Sequence, residues 1–476
     1  MLFVEFRFLP FFAVVMAVAW ALRSNGLRKN WLLACSYVFY AAWDWRFLGL
    51  ILFSTCLDWV AGARIHANRV RVDADGTERG SRAKMRAWLT LSLVGNLGLL
   101  GTYKYLGFFA SSLQSLLAWL GLPADFEVIQ LILPVGISFY TFQTLSYSLD
   151  IYFGKLEPTR RFLDLALFVA FFPQLVAGPI VMAKELLPQF KERPRWADVP
   201  VRWALVLFFV GYIKKSCLSD SVAPYVNVAY GATDLLGTWE AWMAALAFSS
   251  QVYFDFSGYT DMAIACAALL GYRLPRNFAF PYLSTNFTDV WARWHITLTR
   301  WFREYLYIPL GGSRKGEART LLNIFLIFAI SGLWHGSAWN FVGWGVLHGV
   351  IVAIERTDRG SVLRRLPWPV GFLYLQVIWT MSLVIFRSEN LEQLGNMLTR
   401  MVIPVAAAAD APPAPYWLAP VLVGALLVHW TWRRFDLERR VAGITPLLFA
   451  SLYGVAWAIA LPWIRSDPAP YFYFDF

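Results

Sequence analysis

Five histidines occur among the 476 residues, and three of them (His295, His335 and His348) fall within the stretch Trp291–His348. Imidazole titrates nearest neutral pH, so a histidine held beside a hydroxyl is the natural general base. His335 has the most telling setting. It ends the apolar run Leu321–Leu333, lies in Leu333-Trp334-His335-Gly336, and is flanked by Gly332 and Gly336 and followed by Ser337 and Asn340. Glycines let another backbone or a ligand come close. An ionisable group at membrane depth is costly and by default marks function. His348 would face away from His335 on one continuous helix and reads as structural or secondary. His66 and His429 stand beside basic residues and read as solvated.

His295 has a different setting. Trp291, Trp294, Leu298, Trp301 and Tyr305 recur every three or four residues, the pattern of one amphipathic helix. Arg293, Arg300 and Arg303 take the other side, so the helix is too polar to span and is expected to lie in the membrane interface. His295 falls on the apolar side, where packing with one hydrogen bond and direct chemistry both remain open. The three arginines, with Arg314 and Lys315, would attract phosphates, either those of a phosphate-bearing ligand or those of anionic lipid headgroups. Asp255 and Asp261 sit in an otherwise apolar segment, six residues apart. That spacing shares a helix face poorly, so hydrogen bonds to a broken helix or an ion pair with a loop arginine fit better than a paired acid and base.

The elements that carry these residues are membrane helices. The chain is 58% hydrophobic and 15% charged, with mean hydropathy +0.50, against roughly 45–50% apolar and 25% charged for a soluble domain. The net charge of +11 comes with Lys and Arg set in short loops between apolar runs, which speaks for a membrane and not for nucleic acid. The 24 tryptophans and 38 phenylalanines suit aromatic belts. Thirteen apolar runs, from Phe3–Leu22 to Pro446–Ile464, include several below the roughly 20 residues of a full crossing. About eleven crossings are expected, the rest being half-helices or re-entrant pieces. The first run reads as a retained span, since it lacks a small-residue cleavage site. Phe171–Ile180, broken by two prolines and a glycine, reads as re-entrant or as a proline-kinked span. Arg23, Arg28 and Lys29, and the basic loop 64–86, read as cytoplasmic with the N-terminus outside. Cys35, Cys56, Cys217 and Cys266 read as buried free thiols, and no metal site is expected.

Several segments together resemble the membrane-bound O-acyltransferase family. They are Phe172–Ile180, Tyr253–Ala263, Trp291–Gly312, Trp334-His335-Gly336 and the aromatic tail Pro470–Phe476. The resemblance spans nearly the whole chain and is strongest to the bacterial branch of alginate O-acetylation membrane proteins, with the lipoteichoic-acid D-alanylation membrane protein a more distant relative. One departure is Asn286–Trp294, which lacks an extra aromatic and a second arginine usual in the branch; His295 is retained. The resemblance implies an all-α polytopic fold around a central tunnel. It implies one membrane domain over 1–476, with N-terminal helices 1–151, a core 152–356 bearing the histidines, and C-terminal helices with the tail in 357–476.

The resemblance also implies a reaction. His335 matches the family's essential residue and His295 its second candidate. His335 would deprotonate a hydroxyl, while His295 or Asn340 orients the acyl group or stabilises the oxyanion; Trp334, Asp255, Asp261 and His348 would support the site. No cofactor is expected to stay bound. The donor would be acetyl-CoA or an acyl-carrier phosphopantetheine thioester, reaching the protein from the cytoplasmic face of the inner membrane. Partners would be membrane lipids and a periplasmic or membrane-tethered acetyltransferase. Alginate, cellulose and peptidoglycan are all open as acceptors. Two rival readings are a transporter or flippase that uses the intramembrane Asp and His residues as a proton relay, and a non-catalytic channel. The tail would be an interfacial anchor or a docking strip.

Overall fold

The computed structural model describes residues 1–72, 78–124, 126–129, 131–464 and 469–472. It is helical apart from a two-residue strand pair, β1 (Arg71–Val72) with β2 (Glu78–Arg79). The chain folds as two compact units, Met1–Val199 with Cys266–Pro275, and Pro200–Ala265 with Arg276–Phe476.

The first unit contains α1 (Phe8–Ala21), α2 (Asn25–Asp44), α3 (Leu48–Ala67), α4 (Arg82–Leu100), α5 (Leu106–Trp119), α6 (Ile137–Tyr152), α7 (Phe162–Ala170), α8 (Phe172–Leu175) and α9 (Ala183–Leu186). A tight turn at Trp45–Phe47, begun by the Asp44 carboxylate on the Arg46 N–H, makes α2 and α3 one apolar run of 43 residues. A π-turn at Gly101–Tyr105 carries α4 into α5 without a break. Asp58 on α3 is fully buried and accepts from Ser92, from Ser148 Oγ at 2.7 Å and from Asn96 Nδ2 at 2.9 Å. Those donors on α4 and α6 satisfy a carboxylate that lipid would leave stranded, and so fix three helices together.

Two expectations change in this unit. Arg28 and Lys29 do not lie in a loop. They belong to α2 and are buried, Arg28 donating to the Leu270 carbonyl and lying 4.2 Å over Trp20, Lys29 paired with Asp164. Charge read as a topology signal is here internal structure. The stretch Phe171–Met182 is broken backbone, as its prolines and glycine require, and every one of its side chains is buried. Irregular backbone survives at such a place because protein surrounds it.

The second unit contains α10 (Val201–Tyr212), α11 (Asp220–Gly231), most of the 32-residue α12 (Thr238–Leu269), α13 (Phe287–Arg293), α14 (Ile296–Phe302), α15 (Glu317–His335), α16 (Trp339–Arg356), α17 (Trp368–Arg387), α18 (Leu391–Val402), α19 (Leu418–Trp432), α20 (Leu437–Ala442) and α21 (Pro446–Ala460). Helix α15 packs antiparallel on α16 with almost no side chain between them. A Cβ on Gly345 would stand 2.3 Å from the Phe328 carbonyl oxygen, and one on Gly332 the same distance from that of Phe341. Of the glycines flanking His335, Gly332 admits the backbone of α16 and Gly336 the Phe341 ring.

Among the described residues, the runs long and apolar enough to cross a membrane are Asn25–Ala67, Glu317–His335, Trp368–Arg387 and Pro446–Trp463; α1 and α19 are shorter apolar helices. On α21, Leu447, Leu452 and Ile459 are exposed, the last two-thirds so (68%). An aliphatic face of that kind belongs in lipid. Of the cysteines, Cys35 and Cys266 are buried, Cys217 is half-buried and Cys56 is exposed, against the expectation that all four would be buried; all are unpaired thiols.

Candidate active site

The segment expected to be one interfacial helix is two short helices with a corner between them. Helix α13 ends at Arg293, α14 begins at Ile296, and His295 stands at the corner with φ 43° and ψ 51°. The left-handed region is strained for a residue with a Cβ and persists only where its surroundings impose it. Trp291, Trp294, Leu298, Trp301 and Tyr305 are all buried, so the apolar stripe packs into protein. The periodicity was a true sign of burial, but the corner broke the helix it implied.

Each half of the corner is anchored. The Asn286 side chain caps α13 through the Asp289 N–H at 2.8 Å. The Glu355 carboxylate on α16, fully buried, takes the Phe287 N–H, the Thr288 N–H and the Thr288 hydroxyl, each at 2.9 Å. Orphan N–H groups at a helix start are thereby satisfied by a charge that suits the dipole. Asn277 serves α14 twice. Its backbone carbonyl accepts from the Ile296 N–H at 2.9 Å, and its side-chain oxygen from the Thr297 N–H at 3.3 Å and the Thr297 hydroxyl at 2.9 Å.

This corner brings His295 to His335. Their ring centroids are 6.5 Å apart, and both are buried. His335, the last residue of α15, is enclosed by Trp334, Trp344 and Phe386 at centroid distances of 5.1, 5.2 and 5.8 Å. His295 meets the edge of Phe256 at 4.6 Å and Trp334 at 5.9 Å. Its Nδ1 lies 3.1 Å from the Asn277 side-chain oxygen, while Nε2 has no hydrogen-bond partner among the described residues. His295 stands outside the spanning helices; burial first, and the neighbouring His335 second, push its imidazole well below the ordinary range. Two buried histidines in a shell of aromatic rings are suited to moving a proton between a hydroxyl and a leaving group.

His348 is close in space and different in kind. Trp291 Nε1 donates to its Nδ1 at 3.2 Å, and its Nε2 pairs with the Ser382 hydroxyl at 3.0 Å. Both nitrogens are engaged, as a structural role requires. Asn340 uses its amide hydrogens to hold the end of α17, donating to the Phe386 and Ser388 carbonyls at 3.2 and 3.0 Å. It therefore has no spare N–H for an oxyanion. His429 is not solvated; it is buried with Nε2 3.3 Å from the Tyr253 hydroxyl. His66 is half-buried and lies 3.1 Å from Glu157.

The two aspartates of α12 have lysine partners, not loop arginines. Asp261 pairs with Lys214 at 2.7 Å. Asp255 pairs with Lys215 at 2.6 Å, and Lys215 also reaches Asp220 at 2.8 Å. Both lysines sit on a π-turn, Ile213–Ser219, which turns consecutive residues to the same carboxylate-bearing helix. Lys214 thus serves Asp261, while Lys215 is shared between Asp255 and Asp220, so both aspartates of α12 are held in buried or half-buried ion pairs. The tail docks here too: Phe472 N–H donates to Asp255 at 2.7 Å, and Tyr471 is buried 5.2 Å from Tyr259. Tyr471 is thus taken up by its own chain; the expectation of a docking strip over residues 473–476 lies outside the described residues. Among the arginines, Arg293 pairs with Asp289 at 2.8 Å, Arg300 is half-buried and Arg303 is exposed.

A helical membrane protein with a buried histidine pair at a helix corner is the class these observations define. Comparison with known proteins gives the family. Residues 159–386 match the family model of MBOAT, the membrane-bound O-acyltransferase family. The chain is 41% identical over 400 residues to a probable alginate O-acetylase of Azotobacter vinelandii, covering 83% of this chain and 76% of that one. It is 39% identical to a probable alginate O-acetylase of Pseudomonas aeruginosa, with 84% and 75% covered. It is 36% identical over 433 residues to a peptidoglycan O-acetyltransferase of Helicobacter pylori, with 83% and 78% covered. The chain belongs to the membrane-bound O-acyltransferase family; it is an integral membrane protein and an O-acyltransferase.

Nothing in the spacing of the sequence pointed to Asn277, Glu355, Lys214 or Lys215. Each acts on a partner 18 to 68 residues away, and only the fold brings them together.

Proposed function

We propose that this enzyme moves an acetyl group from a thioester donor on the cytoplasmic side of the inner membrane toward the O-acetylation of an extracellular glycan. The similarity to alginate O-acetylases over most of the chain supports acetyl as the acyl group and an exopolysaccharide such as alginate as the end acceptor. The peptidoglycan O-acetyltransferase keeps a cell-wall glycan as the alternative acceptor. The donor is acetyl-CoA or an acyl-carrier phosphopantetheine thioester, drawn to the exposed Arg303 and its neighbours by its phosphates. A periplasmic or membrane-tethered acetyltransferase completes the transfer. About eleven crossings around a tunnel, with re-entrant and interfacial pieces, belong to the same proposal.

The observation that carries the reading is the buried His295–His335 pair, 6.5 Å between ring centres. A hydroxyl is a weak nucleophile and needs a base within hydrogen-bond reach. In the proposed step the hydroxyl oxygen bonds to the thioester carbonyl carbon as His335 takes the hydroxyl proton. The carbon–sulfur bond then breaks, and the thiolate recovers that proton. The aromatic shell keeps water from hydrolysing the thioester. Vesicles from cells that make the polysaccharide and its periplasmic acetyltransferase, holding the protein and given acetyl-CoA labelled in its acetyl group, test this. Label is expected in the polysaccharide fraction with the wild type, and about 10²- to 10⁴-fold less with His335→Ala. Normal transfer by that variant would sink the assignment.

A further inference from the structure

We infer that Asn277 is a positioning residue for the transfer: it holds His295 as the Nδ1–H tautomer, so that the nitrogen left open, Nε2, accepts hydrogen bonds and does not donate to an oxyanion. This rests on the reading of the His295–His335 pair as the transfer site.

The argument turns on a group whose role is fixed. A backbone N–H only donates. The Thr297 N–H, 3.3 Å from the end of the Asn277 side chain, therefore faces the amide oxygen and not the amide nitrogen. The Thr297 hydroxyl donates to the same oxygen at 2.9 Å. His295 Nδ1 lies 3.1 Å from it and must also be the donor. A neutral imidazole with its proton on Nδ1 has its lone pair on Nε2. That nitrogen is buried and unpartnered among the described residues. Asn277 is also placed at a cost to itself, because its own Nδ2 is buried without a partner among the described residues. The amide thus serves its three donors at the expense of its own hydrogens. The left-handed corner at His295 adds to the constraint, since Ile296 N–H on the Asn277 carbonyl holds the backbone that sets the ring. His348, whose Nδ1 must accept from Trp291, is held in the opposite tautomer by the same logic.

Two readouts test this on the full-length protein in membranes. In ¹⁵N-histidine spectra of the wild type, the resonance lost in His295→Gln is expected to show a protonated Nδ1 and a bare Nε2. A protonated Nε2 there overturns the inference, and this measurement needs no variant of Asn277. In vesicle transfer assays with labelled acetyl-CoA, Asn277→Ala is expected to lower kcat at least about tenfold with KM little changed, and to raise the Nε2–H tautomer. Asn277→Asp, which keeps an oxygen acceptor, is expected to recover the wild-type tautomer and most of the rate. If Asn277→Ala keeps both rate and tautomer while His295→Gln is inactive, the inference fails and the transfer site stands. If His295→Gln and His335→Ala both transfer normally, the site reading itself fails.

Discussion

His295 and His348 are both buried among aromatic rings, yet their hydrogen bonds divide them. His348 has Trp291 on one nitrogen and Ser382 on the other, and the Ser382 hydroxyl donates a hydrogen bond to the Trp379 carbonyl at 2.7 Å. That chain is closed and ties α13, α16 and α17 together. His295 has Asn277 on one nitrogen and no partner on the other among the described residues. A buried polar atom without a partner costs about 1–3 kcal/mol, so proteins seldom keep one for packing alone. The difference separates a histidine that builds the fold from one held ready for a reactant.

The sharpest way to break this comparison is to exchange the two residues for glutamine. His295→Gln is expected to reduce acetyl transfer about 10²- to 10⁴-fold while leaving thermal unfolding close to wild type. His348→Gln is expected to do the reverse, lowering the unfolding temperature and leaving most of the activity. Equal effects of the two variants on activity would remove the distinction.

The His295 half of the comparison can be sharpened by pH. Burial and His335 depress its pKa, so the folded protein keeps it neutral while the unfolded chain takes a proton below about pH 6.5. The stability it contributes is fully present above about pH 6.5 and is lost as pH falls, at up to about 1.4 kcal/mol per pH unit. Unfolding in detergent followed from about pH 7 to 5 should therefore show a shallower acid-side slope in His295→Gln than in the wild type. An unchanged slope would mean that the ring is not held neutral.

How much of this was legible in the sequence follows from what each signal measures. Apolar runs and proline–glycine breaks report burial and backbone continuity, and they located most helices and the broken stretch near Pro173 and Pro179. Helix periodicity reports which face is buried, so the Trp291–Tyr305 stripe was right about burial. It carried no information on the corner, because a left-handed turn at a histidine is imposed by Asn277 and Glu355 from elsewhere. Charge was the least legible property. Arg28 and Lys29 looked like loop charges, but each is buried and held by a distant partner. His429 misled in the same way: the arginines at 433 and 434 suggested water, while Tyr253 and Phe280 enclose its ring. Of the site, His335 could be seen from its place at the end of an apolar run. The tautomer of His295 could not, since it depends on a residue 18 positions earlier.

The His348 half can be sharpened by removing its partners singly. Trp291→Phe deletes the one donor to His348 Nδ1 among the described residues and leaves a buried acceptor unsatisfied, an expected loss of about 1–3 kcal/mol in unfolding free energy. The smallest expected effect is that of Ser382→Ala. It removes the hydroxyl on Nε2, but the neutral imidazole can shift its proton only by giving up Trp291, so the tautomer should hold. The expected cost is about 1 kcal/mol, with transfer rates unchanged. A large fall in acetyl transfer from Ser382→Ala, with stability near wild type, would place His348 in the reaction and erase the line between the two histidines. The ordering of the two variants carries the argument further than either value: loss of the indole donor should exceed loss of the hydroxyl, because Trp291 also packs against Phe328 and Trp344 at centroid distances of 5.2 and 5.7 Å.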